Sequence, residues 1–72
     1  MKITPTRHGR KRMRERRVTV ADVRNVLGNR PPMHPSPNKR VQTGRALDGR
    51  RLEVVYTEAK AGEVRIVSVV TP

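Results

Sequence analysis

Two histidines, one tyrosine and a surplus of arginine are the groups in this chain whose types suit chemistry. His8 opens the run Arg7-His8-Gly9-Arg10-Lys11-Arg12-Met13-Arg14-Glu15-Arg16-Arg17, which carries seven basic residues and a single acid. RNA is cut without a metal when its own 2′-hydroxyl attacks the adjacent phosphate. That step needs a base at the hydroxyl, cations around the phosphate and an acid at the leaving oxygen. His8 suits the base or the acid, because imidazole titrates near neutrality. Arg12, Arg16, Arg45 and Arg65 are candidate phosphate ligands, and Tyr56 is a candidate positioning or protonating group. Each of the two ring residues also has a plainer reading. A histidine at a helix start is often a hydrogen-bonded structural residue. Tyr56 falls on the apolar face of its strand, where a core ring with its hydroxyl at the rim is the ordinary role.

Other chemistries are excluded by composition. The 72 residues include no Cys, so disulfides and thiolate metal sites are absent. Two histidines 26 residues apart make a poor metal site, and no Gly-rich phosphate loop or Ser-His-Asp pattern is present. No metal or cofactor is therefore expected. A single aromatic residue also excludes the platforms on which single-stranded bases stack. The formal net charge is +11, and residues 1–45 hold all of the excess, with 13 basic residues against 2 acidic. Arginine outnumbers lysine 13 to 4, and guanidinium groups match phosphate and carboxylate geometry better than ammonium groups do. A polyanionic partner follows: RNA, free or ribosome-bound, or an acidic protein. Arg7, Arg10, Lys11, Arg12, Arg14, Arg16, Arg17, Arg45 and Arg50 are the candidate nucleic-acid contacts. No apolar run approaches the roughly 20 residues of a membrane span, and no secretory leader is visible, so a cytoplasmic location without membrane contact is expected. With an aliphatic core this small, a homodimer or another partner is a natural source of further stability.

The elements that must position these groups are legible in outline, and they imply one domain over residues 1–72. Lys2 to Thr4 could pair as an edge strand. Thr6 is a helix cap, and the spacing predicts a helix over about 6–17. Thr19 and Asp22 form an approximate capping box, with Val18 and Val23 at the staple positions. Val20, Val23, Val26 and Leu27 then give an apolar stripe for a second helix over about 20–27, ended by Gly28. Four prolines make 29–40 a loop. After it the period becomes two. Val41–Leu47 reads as a strand, and Asp48-Gly49 as a two-residue hairpin turn. Leu52, Val54 and Tyr56 alternate on one face of the next strand, and Val64, Ile66, Ser68 and Val70 on one face of the last. The fold class is α+β: two helices packed on a three-stranded antiparallel meander over residues 41–70, with a fourth strand available at the N-terminus. Leu52, Val54, Tyr56, Val64 and Ile66 should face Met13, Val23 and Leu27.

Two stretches carry a family resemblance. Arg7-His8-Gly9-x-x-Arg12-Met13-x-x-Arg16 followed by Val18-Thr19-x-x-Asp22-Val23-x-x-Val26-Leu27 resembles a family of small bacterial proteins of unknown function. Its members open with a His-Ala-x-x-Arg-Met-x-x-Arg helix. Asp48-Gly49-Arg50-x-Leu52-x-Val54-Val55-Tyr56 and Arg65-Ile66-Val67-Ser68-Val69 are similar both to that family and to BrnT-type toxins of the RelE/ParE-like fold. The resemblance implies an endoribonuclease toxin silenced by an acidic antitoxin-like protein, with His8, Arg12, Arg16, Arg50, Tyr56 and Arg65 at motif positions. A ParE-like inhibitor that docks on a protein, or a non-catalytic binding module of the same fold, is the alternative. One departure stands out: Gly9 replaces the usual Ala, which by helix propensity alone weakens the helix by about 1 kcal/mol.

Overall fold

Caps, turns and prolines set the order of the elements. A computed structural model of the chain describes residues 1–28, 36–60 and 62–72. Strand β1 (Lys2–Pro5) precedes helices α1 (Arg7–Glu15) and α2 (Val20–Leu27), and strands β2 (Ser36–Arg45), β3 (Arg51–Lys60) and β4 (Glu63–Val70) follow. The strands form one sheet in the order β1-β4-β3-β2. β2, β3 and β4 make the expected antiparallel meander. β1 is the fourth strand, but it pairs parallel with β4, from Lys2 opposite Glu63 to Pro5 opposite Ile66. The sheet is therefore mixed rather than antiparallel throughout. The reason is the crossover: both helices carry the chain over one face, from the β1 edge to the β2 edge, and the chain re-enters the sheet in its original direction.

Local chemistry fixes both helices. The Thr6 hydroxyl accepts from the Gly9 amide at 3.0 Å and caps α1. The helix ends at Glu15, earlier than the expected residue 17. Its closing bonds run from the Arg17 amide to the Arg14 carbonyl, 3.2 Å, and from the Val18 amide to the Met13 carbonyl, 2.8 Å. This is the pattern of a left-handed C-terminal cap, a position that favours glycine. Arg17 occupies it at φ 55°. α2 starts with a complete capping box, as expected: Thr19 Oγ1 accepts from the Asp22 amide and Asp22 Oδ2 accepts from the Thr19 amide.

The strands depart from simple alternation at three places. β2 begins at Ser36 and so includes Pro37, within a segment expected to be loop; residues 29–35 lie outside the described ones. Proline is tolerated there because β2 is an edge strand and its pairing with β3 is irregular between Ser36 and Arg40. At the hairpin, β2 stops at Arg45 and Leu47 is exposed. The Gly49 amide donates to the Ala46 carbonyl at 2.9 Å and the Ala46 amide to the Arg50 carbonyl at 2.8 Å, with Gly49 at φ 92°. These bonds enclose a three-residue loop, not the expected two-residue turn. In β4, Tyr56 is opposite Ile66 while Val55 is opposite Ser68, so Val67 is an extra residue. This bulge flips the side-chain phase. Val69 is consequently buried and Val70 exposed, reversing the expected placement of Ser68 and Val70 on the Val64 face.

Met13, Val18, Val23, Val26, Ala46, Leu52, Val54, Val64, Ile66 and Val69 form the core, with Tyr56 and Leu27 partly buried against it. α1 lies on β4, and α2 lies mainly on β2. α1 sits very low: a Cβ on Gly9 would collide with the Ile66 carbonyl oxygen. The same oxygen accepts from the Thr6 amide at 2.9 Å and the Thr6 hydroxyl at 3.0 Å. Gly9→Ala should therefore destabilise the fold by about 1–3 kcal/mol through overpacking, although propensity alone favours Ala by about 1 kcal/mol. Thermal melts of the two proteins decide the sign, and a Gly9→Ala protein more stable than the parent contradicts the close contact.

Candidate nucleic-acid interface

The sheet-facing side of α1 is narrow. Gly9 and Met13 are buried, Arg12 is half-buried, and Arg7, His8, Arg10, Lys11, Arg14, Arg16 and Arg17 are all exposed. Arg12 Nη1 meets Glu15 at 3.2 Å, and Arg12 Nε lies 3.5 Å from His8 Nε2. Apart from Arg12, none of these cations has an ion-pair partner among the described residues. The acids are engaged elsewhere. Asp48 binds Arg50 at 2.7 Å, Glu58 binds Arg40 at 3.3 Å, and Glu63 lies 3.8 Å from Lys60 and 3.6 Å from Arg65. With Glu15 and the capping Asp22, five of the six acids have internal partners. What is left is a helix surrounded by cations on every side that meets solvent.

One half-buried polar group, Arg50, holds the end of this helix, and one buried group, Asp22, braces the neighbouring α2. Arg50 Nη1 donates to the Arg16 carbonyl and Nη2 to the Arg17 carbonyl, both at 2.8 Å, while Nε binds Asp48. Its guanidinium thus satisfies carbonyls at the end of α1 and ties the β2–β3 hairpin to that end. Arg50 was expected among the nucleic-acid contacts; three of its donors are bound to Asp48 and to these carbonyls, while its side chain stays 38% exposed. Asp22 completes the bracing from α2. Besides its two bonds to Thr19, its Oδ1 accepts from the Leu47 amide at 2.9 Å. Asp22 is 7% exposed. The Thr19 amide bond holds its carboxyl below the usual range, opposed by burial and helped by the Leu47 amide, the Thr19 hydroxyl and the nearby Arg50 charge.

The residues expected to cooperate in cleavage do not share one side of the sheet. His8 is exposed on α1, on the helix-covered side. Tyr56 is half-buried on the same side, packed against the core. Arg65 precedes Ile66, whose fully buried side chain meets the helices, so strand alternation sends Arg65 to the opposite, open face. Arg45 also belongs to the open face, cross-strand from Arg51, and its Nη1 donates to the Gly49 carbonyl at 3.1 Å. His34 lies outside the described residues. No described helix is long and apolar enough to cross a membrane. The bracing role of Arg50 had one faint signal in the sequence, its place directly after an Asp-Gly turn. The carbonyls it reaches are 33 and 34 residues away and carry no mark.

These features define a small basic α+β protein whose first helix carries exposed cations, most of them without an ion-pair partner among the described residues. The chain belongs to the family described as a domain of unknown function, DUF4258, which matches residues 6–71. No curated protein and no solved structure matches it.

The Asp22 bracing has a defined pH signature. The folded carboxyl titrates below its ordinary value of 3.8, so its stabilisation is fully present above that value and is lost as pH falls through the lower folded one. Asp22→Asn replaces one accepting oxygen by a donor facing an amide. It should cost about 1–3 kcal/mol near neutrality, with a shallower loss of stability on acidification. Chemical denaturation across the acid range tests this; identical curves for both proteins would remove Asp22 from the account.

Proposed function

We propose that this protein binds RNA through its sugar-phosphate backbone, using the exposed sides of α1. The carrying observation is the uncompensated helix: Arg7, Arg10, Lys11, Arg14, Arg16 and Arg17 are exposed without acidic partners among the described residues. Their geometry is held by bonds from Thr6 at one end and Arg50 at the other. Phosphate is the group that such a surface suits, because guanidinium donors bind it in pairs and each contact releases counterions. Base stacking has no aromatic support, since the one ring, Tyr56, packs against the core. Arg17 adds a separate argument. A non-glycine residue in the left-handed region costs roughly 1–2 kcal/mol, and strain of that kind is often retained where the side chain is used.

The narrower reading is a metal-independent endoribonuclease toxin of BrnT/RelE type with an acidic antitoxin-like partner. It is supported by the two-helix layer on one face of a sheet and by the exposed His8 beside Arg12. Its weak point is Arg65, which lies across the sheet from His8, so binding without cleavage is the better-supported function.

Affinity for a labelled single-stranded RNA, measured by fluorescence anisotropy, should fall with salt at a log–log slope of about −0.7 per phosphate neutralised. Arg10→Glu together with Arg14→Glu should make that slope shallower by about 1.4 while the melt is retained. Binding that ignores salt, or no binding at low salt, overturns the proposal. Arg17→Gly separates strain from charge. It should raise stability by about 0.5–1 kcal/mol and weaken RNA binding at the same time. A stabilised variant with undiminished affinity would show that the Arg17 charge is idle.

A further inference from the structure

The helices cover one face of the sheet, and no described element covers the other. Register places its side chains in rows. Val41, Val55 and Ser68 are cross-strand neighbours, as are Thr43, Glu53 and Val70, and Thr57 and Arg65. Val41 is 59% exposed and Val70 39% exposed, so an aliphatic strip crosses the middle of this face in open water. Beyond it, at the hairpin end, Arg45 lies directly opposite Arg51. Like charges in direct cross-strand register are destabilising, and no ion pair among the described residues relieves either arginine. Arg45 Nη1 serves the Gly49 carbonyl, but no described carboxylate neutralises either charge.

We propose that the open face docks an acidic protein segment, its aliphatic side chains on Val41, Val55 and Val70 and its carboxylates on Arg45 and Arg51. Charge complementarity selects the occupant. Two unrelieved guanidinium groups call for anions, and the valines call for apolar side chains, which a nucleic-acid backbone lacks. No aromatic residue lies on this face to stack a base. A second copy is a poor fit, because its own open face offers the same Arg45, Arg51 and Arg65 and, besides the already paired Glu63, only Glu53 as a carboxylate. Arg65, partly neutralised by Glu63, marks the far end of the strip. Thr57, its cross-strand partner, is six residues from Arg51 along β3, which at about 3.3 Å per residue is about 20 Å. A segment of that span carries carboxylates at the hairpin end and an uncharged or basic residue over Glu53. This surface is on the opposite side of the sheet from α1, so the two could be occupied together.

Selection of random short peptides displayed on phage against the immobilised protein, at physiological salt, tests the docking chemistry. A selected peptide is then titrated into isotope-labelled protein. Enriched sequences should combine aliphatic residues with Asp or Glu, and amide shifts should centre on Val41, Val55, Ser68 and Val70 and spare α1. Val41→Ser and Arg51→Glu, both at exposed positions, should each weaken the peptide about tenfold or more, with the melt kept as the check on folding. Arg10→Glu with Arg14→Glu should leave peptide binding intact while weakening RNA, so this inference and the RNA reading fail separately. The docking proposal is overturned by any of four results: no enrichment, peptides that footprint on α1, equal binding by Val41→Ser, or RNA shifting the open-face amides. Light scattering that shows a concentration-dependent dimer, with the same amides broadened, would assign the face to a second copy instead.

Discussion

One carbonyl oxygen, that of Ile66, organises the molecule. It accepts from both the amide and the hydroxyl of Thr6, and the backbone of Gly9 presses against it. Thr6 is at once the last link from β1 and the cap of α1, so one contact fixes where the helix starts, how deep it sits and which strand it lies on. The missing Cβ at residue 9 permits that depth. A weakly apolar helix with Met13 as its single large buried side chain gains little from propensity or burial alone. Direct bonding to the sheet compensates for the small apolar face and frees most of the helix surface for charge.

That division extends through the whole chain. Acids stabilise the fold at turns, caps and strand ends, and cations in excess of them accumulate on α1. Arg50 and Asp22 show how polar groups replace the core that a domain of this size lacks. One bridges the hairpin to the carbonyl end of α1, and the other bridges the same hairpin to the amide end of α2. The hairpin is therefore a strut between two helices as well as a connection between strands.

What could be read from the sequence was local. The caps at Thr6 and Thr19, the end of α2 and the alternation of β3 depend on residues within a few positions of each other, and each is found in the structure as expected. The surplus of cations over 7–17 was equally plain. Features set by distant partners were not legible. Parallel pairing of β1 depends on where two helices deliver the chain. The Val67 bulge is weakly marked in Ile66-Val67-Ser68-Val69-Val70, where apolar residues fall on both phases and Ser68 alone distinguishes them. Gly9 read as a weakened helix, because propensity considers the helix alone and the Ile66 carbonyl is 57 residues away. Likewise, sequence spacing could group His8, Tyr56 and Arg65 by chemical type but could not show that a sheet lies between the first and the last.

The parallel pairing of β1 with β4 also has a consequence in time. Thr6 and Ile66 are separated by 60 residues, so the contact that seats α1 is among the most non-local in the chain. Closing it carries a large loop entropy before any bond is made, a feature of slow-folding topologies. During synthesis the basic segment emerges well before its anchor strand. For most of that interval the segment is an unanchored peptide, too short to hold a helix in water by itself, and it leaves the ribosome beside a surface of RNA phosphates. The β2–β3 hairpin can pair earlier, but β4 can join it only after Ile66 appears, and only then does the peptide gain its seat on the sheet. The helix richest in exposed cations thus gains its fixed seat only after β4 has been made.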